Sequence, residues 1–240
     1  MKKIFLFLVV FNFTFILKSQ ECSRIVNFGD SEICLPLISG MKETYTNSIV
    51  KNSVNLLKSP DEIILGVYFT NYDYDKINTT YLSEGTTKEF VKIYSVKMMS
   101  DFSVDETMLD YFINSIKSTL DSEWSSLKEK SDVFKKASEL KIEFGKPIIL
   151  EDYEINSKIK SLALLTKFSA DNEDEILFAI MNLVLIRDKL IWLAYYEPYK
   201  NASQIQDAKS KNDYFVLSFF TSNLKDLKKS KTLKRNKNIL

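Results

Sequence analysis

Histidine is missing from all 240 residues. Without it there is no Ser-His-Asp or Cys-His catalysis, no imidazole metal ligand and no ordinary proton shuttle near neutral pH. The five glycines (Gly29, Gly40, Gly66, Gly85 and Gly145) stand apart from one another. Scattered glycines build neither a phosphate-cradling P-loop nor a G-x-G-x-x-G dinucleotide fingerprint. Two cysteines, Cys22 and Cys34, are too few and too widely spaced for a zinc site or a C-x-x-C redox motif. Only four prolines occur, and no Pro/Gly/Ser-rich linker divides the chain. No cofactor and no metal is expected.

What is present begins with a leader. Lys2 and Lys3 precede an uncharged apolar run from Ile4 to Leu17, which Lys18 ends. A basic start followed by a run of this length fits a secretory signal and falls short of the roughly 20 residues of a membrane-spanning helix. The end of the segment, Ser19-Gln20, resembles the signal ends of exported Bacteroidota-type proteins. Gln20-Glu21 ahead of Cys22 argues against lipoprotein acylation. The expectation is a signal peptide over 1–20, one α/β domain over 21–224, and a basic, disordered tail over 225–240. Export leads to the periplasm or the medium, with no transmembrane segment in the mature chain.

The charges are segregated. The leader holds three Lys and no acid, and the tail seven basic side chains against one acid, which leaves residues 21–224 at −8 beneath an overall +1. An acidic body lacks the clustered Lys/Arg that phosphate contacts require, so nucleic acid is not an expected partner. The tail (Lys225, Lys228, Lys229, Lys231, Lys234, Arg235, Lys237) has two readings, a solvated terminus or a contact for an anionic surface. Cys22 and Cys34 in an exported chain permit one disulfide; two free thiols is the rival reading.

Hydrophobic spacing gives the elements. Residues 25–40 read as a short edge strand or extended segment interrupted by Pro36, 47–58 as a helix, and 63–70 as a strand. Residues 71–87 read as a polar loop and 88–99 as a second strand. Ser103-x-x-Glu106 reads as a capping box opening a long helix, continued or followed by another through Leu140. Strands follow near 148–155, 159–168, 176–187 and 190–197, the last two joined at Arg187-Asp188-Lys189. Ser203-x-x-Gln206 opens a final helix. Strands from Ile176 to Tyr196 are apolar on both faces and must be covered on both. The expected fold is therefore α+β, a mainly antiparallel sheet with helices on both faces, an α/β/α sandwich. Two-faced antiparallel strands, a long helix before the meander, the late hairpin Asn182–Tyr196 and the closing helix Ser203–Leu224 together resemble the Mog1/PsbP-type sandwich. That resemblance implies binding and assembly roles, with no site residues to carry over.

Candidate sites come from aromatic and acidic clusters. Tyr68, Tyr72, Tyr74 and Tyr81 form the candidate binding group, because Tyr72 and Tyr74 stand among polar residues. Trp192, Tyr195, Tyr196 and Tyr199 read as packing on a two-faced sheet. Asn71-x-Asp73-x-Asp75 opens like a calcium loop, but Lys76 takes the glycine position and the closing Glu is missing. Asp171, Glu173 and Glu175 read as a solvated hairpin tip, and Glu151 and Glu154 as neighbouring surface acids. The functional expectation is an exported, non-enzymatic binding or assembly module, with an envelope or extracellular protein as the possible partner. The alternatives are an exported hydrolase using carboxylates or a Ser/Lys pair, and a carrier with an apolar cavity.

Overall fold

Glycine decides how the N-terminal segment folds. Gly29 takes φ +59°, and a Cβ there would come within 2.1 Å of the Ser100 carbonyl oxygen. Both the left-handed turn and the close approach demand glycine. The computed structural model describes residues 21–77, 89–170 and 173–224. The leader 1–20, Tyr81, Asp171 and the tail 225–240 lie outside the described residues. Around Gly29 the chain folds into two antiparallel strands, β1 (Cys22–Phe28) and β2 (Ser31–Pro36), in a sheet of their own. The single edge strand expected over 25–40 is thus a hairpin, bridged by a Cys22–Cys34 disulfide.

The main sheet has the order β3-β4-β5-β10-β9-β8-β6, with β7 also pairing β8, and every pairing is antiparallel. Its strands are β3 (Met41–Glu43), β4 (Glu62–Thr70), β5 (Phe90–Val96), β6 (Ile142–Phe144), β7 (Ile148–Asn156), β8 (Ile159–Ala170), β9 (Glu173–Ile186) and β10 (Lys189–Pro198). The helices are α1 (Ser48–Leu56), α2 (Asn71–Tyr74), α3 (Glu106–Ser122), α4 (Trp124–Lys130), α5 (Asp132–Glu139) and α6 (Gln204–Asn223). This is the antiparallel α/β/α sandwich that two-faced apolar strands require.

Cross-strand register sorts the side chains between faces. Asn182, Leu193 and Tyr195 point toward α6 and the β1–β2 hairpin, with Tyr68 beside them. Trp192, Tyr196, Tyr94 and Phe90 point the other way, the side on which α3 packs against β8 and β9. On that side Val50 of α1 joins Ile64, Val67 and Phe69 in a small separate cluster.

Helix ends depart from the sequence expectation. Asp105, not Ser103, caps α3 by accepting from the Met108 N–H, while the Ser103 hydroxyl donates to Asp188. Ser203 makes no side-chain cap; instead Asn201 and Gln204 accept the backbone N–H groups around it. The long helix breaks into α3, α4 and α5 at Glu123 and Ser131, where the backbone leaves helical geometry.

Buried amides dock α6. The Asn182 and Asn212 side chains exchange hydrogen bonds at 2.8 and 3.1 Å; Asn182 also donates to the Leu193 carbonyl and accepts from Ser161. Asn223 pairs with both backbone groups of Cys34, accepting at 2.7 Å and donating at 2.9 Å. Each of these three amides is satisfied, so the network fixes register without leaving one of them unpaired.

Candidate functional site

Of the four tyrosines singled out from the sequence, the three described ones do not form one exposed patch. Tyr68 is fully buried; its hydroxyl donates to the Pro36 carbonyl and its ring meets Phe215 edge-on. It has no surface to offer. Tyr72 is exposed and carries the Lys76 ammonium over its ring, and Tyr74 is half-buried beneath Lys42. Tyr81 lies outside the described residues.

A different group of rings occupies the middle of the sheet, on the α3 side. Phe69, Phe90 and Tyr196 stack across β4, β5 and β10, with centroids 5.7 and 4.7 Å apart. Tyr94 and Trp192 stack at 6.1 Å on the same face. Among the described residues, α1 packs near β4 and α3 on β8 and β9, so neither helix rests chiefly on β5 or β10. Phe90, Tyr94, Trp192 and Tyr196 consequently remain half-buried.

These rings form a partly exposed aromatic strip with a polar end, here called the recess because the flanking helices α1 and α3 stand on either side of it. Lys92 of β5 pairs with Glu62 of β4, and its ammonium sits 4.8 Å from the Tyr94 centroid. Burial drives the Tyr196 hydroxyl up to about 12, with Glu62 adding to it. Burial likewise holds Tyr94 well above the ordinary phenol range, with Tyr196 and Glu62 as secondary causes. Both phenols are thus protonated donors at any physiological pH. Partly exposed ring faces beside a self-neutralised ion pair suit the binding of an uncharged, mainly apolar group.

Strand parity could have revealed half of this recess. Tyr195 and Tyr196 must point to opposite faces, so the sequence cluster Trp192–Tyr199 could not be a single patch. The partner half, Phe90, Lys92 and Tyr94, becomes visible only once β5 is paired with β10, a contact about 100 residues long-range that periodicity does not encode.

A second cluster lies on the opposite face. Tyr195 places its hydroxyl 2.6 Å from Glu197 and 3.0 Å from Glu89, and Lys211 of α6 reaches Glu89, Glu197 and Asp207 at 3.3–3.5 Å. Burial lowers the Lys211 ammonium's affinity for its proton, but the three carboxylates outweigh that and raise it. Two carboxylates facing each other are what glycoside hydrolysis uses, yet here the phenol fills the gap where the scissile bond would sit. The arrangement is a clamp between β10 and α6. Glu151 and Glu154 are likewise committed, to Lys209 and Lys160.

No protein-family model matches the chain, and no curated protein does. Among solved structures the chain is similar to the Saccharomyces cerevisiae Ran-binding protein Mog1p, at 9% identity and a TM-score of 0.32, over 80% of this chain and 84% of that one. A likeness at that level carries no argument about function.

Proposed function

We propose that this chain is an exported, non-enzymatic binding module whose ligand site is the aromatic recess over β5 and β10. One observation carries the reading: among the described residues no helix rests chiefly on β5 and β10, and the rings of Tyr94, Trp192 and Tyr196 keep partial exposure in the middle of the sheet. Large rings at that depth normally close under a helix, because each fully buried one adds roughly 2–3 kcal/mol. Leaving them open favours a ligand as the cover. Export draws support from the leader and from the Cys22–Cys34 bond, which suits an oxidising compartment. An envelope or extracellular protein is the partner class we favour, engaged through an apolar side chain or short segment.

The test expresses the whole chain in a bacterium, with Trp124→Phe so that Trp192 alone reports. The product collected outside the cytosol is expected to begin at or beside Glu21, and acrylamide is expected to quench Trp192 emission. Retention of Met1 in a cytosolic product would overturn export. A Trp192 shielded from acrylamide in the purified protein would overturn the recess as a site.

A further inference from the structure

The β1–β2 hairpin has two outer edges, and the fold treats them differently. Asn223 of α6 takes both backbone groups of Cys34, accepting from the N–H at 2.7 Å and donating to the carbonyl at 2.9 Å. The backbone of Cys34 therefore points away from β1, and the edge of β2 is closed there. Ile25 stands opposite Cys34 in the register. Such a pair exchanges no hydrogen bond, so the N–H and C=O of Ile25 point away from β2 as well. Alternation gives the same direction to Asn27, two residues further on. Among the described residues, nothing pairs with these four backbone groups, and both side chains are exposed. The remaining free edges are blunted. Strands β3 and β6 have three residues each. Strand β7 is interrupted by two register shifts and carries Glu151, Asp152 and Glu154. Short, bulged and charged edges resist pairing with another chain. Strand β1 has seven residues and no acid, and it commits its one charge, Arg24, to Glu43.

From this contrast we infer that β1 pairs with β1 of a second copy of the chain, antiparallel about a two-fold axis at Val26. In that register the strand is its own complement. Ile25 of each copy lies opposite Asn27 of the other, and the two outward-facing pairs exchange about four hydrogen bonds. Val26 meets Val26, and Arg24 meets Phe28, so no like charges face each other. An isologous contact supplies the matching strand already extended and held by its own disulfide. The product is a four-stranded sheet, β2-β1-β1-β2, running across the two-fold. The contact is small, so the dimer is a weak and transient one. The aromatic recess lies on the other face of the main sheet, so the two readings stand or fall separately.

The test uses the exported chain, with its first residue fixed by mass spectrometry so that a failure of leader removal is read separately. Sedimentation between about 5 and 500 μM should show a monomer–dimer equilibrium with a dissociation constant of about 10–100 μM. Amide exchange at Ile25 and Asn27 should slow several-fold across the same range. Ile25→Lys sets an ammonium on the edge without entering the core, and should weaken the dimer by about 10-fold or more. Asn27→Pro, which removes an N–H that the hairpin does not use, should act in the same direction. A monomer at every concentration would overturn the inference. So would a dimer whose formation leaves exchange at Ile25 and Asn27 unchanged, or one that Ile25→Lys does not weaken, because another surface then joins the copies.

Discussion

Single residues hold the two sheets together. Arg24 of β1 forks onto Glu43 of β3, with bonds of 3.1 and 2.9 Å, and donates a third, of 2.7 Å, to the Leu65 carbonyl. The Glu43 side chain is 5% exposed, so Arg24 takes the place that water would have beside it. Arg24→Met should cost roughly 3 kcal/mol in urea unfolding, because the carboxylate stays buried and loses its counter-charge. Arg24→Lys should recover only part of that, since an ammonium cannot fork onto a carboxylate and reach the carbonyl as well. An Arg24→Met protein as stable as the parent would show that the pair contributes nothing. None of this was legible in the sequence, nor were the amides Asn182, Asn212 and Asn223. A buried polar pair is defined by who meets whom across 19 to 189 residues, and composition carries no trace of that. Tyr68 misled for the same reason: it precedes Tyr72 and Tyr74 in sequence, but its neighbours in space are Phe215 and Pro36.

At the scale of elements, the β1–β2 hairpin is the part that depends most on one bond. It forms its own two-stranded sheet, with Leu35 packed over Gly66 of the main sheet and Cys34 paired with Asn223 of α6. A two-stranded hairpin has little stability of its own. Replacing Cys22 and Cys34 together by Ser should cost about 2–3 kcal/mol, the loop-closure contribution of a twelve-residue separation. Hydrogen exchange should quicken first in residues 22–36, with β8, β9 and β10 still protected. Equal loss of protection throughout would mean that the hairpin and the main sheet unfold as one unit. Strand alternation and helical spacing located β4, β5, β7–β10 and the terminal helix, because those patterns are local. The hairpin, the three-residue strand β3 and the break at Glu123 escaped, because each depends on a turn or a partner supplied from elsewhere; the separate helix from Asp132 was one of two readings that spacing left open. The recess was half legible: Trp192 and Tyr196 stood out as aromatics, but only pairing with β5 sets Tyr94 and Lys92 beside them.

The whole molecule stores tyrosines on both faces of its sheet, and that gives it a defined alkaline limit. Tyr68, Tyr153 and Tyr195 lie on the α6 side, Tyr94 and Tyr196 on the α3 side, and burial is the first cause that raises every one of these phenols. In the unfolded chain a phenol ionises near pH 10. Below that pH both states keep the proton, and the stability these groups contribute is fully present. Above it the unfolded chain releases protons that the folded state retains, so each phenol removes about 1.4 kcal/mol of stability per pH unit until its folded value is passed. With five such groups against a total stability of about 5–15 kcal/mol, the fold should give way cooperatively between about pH 11 and 12. Phenolate absorbance from the buried rings should appear in the same step as the loss of circular dichroism. Tyr196→Phe, which keeps the stack on Phe90 and removes one ionisable hydroxyl, should move that midpoint upward. A gradual rise of phenolate absorbance with the dichroism unchanged would show instead that these hydroxyls exchange with solvent in the folded protein, and the recess would then be an open shelf without depth.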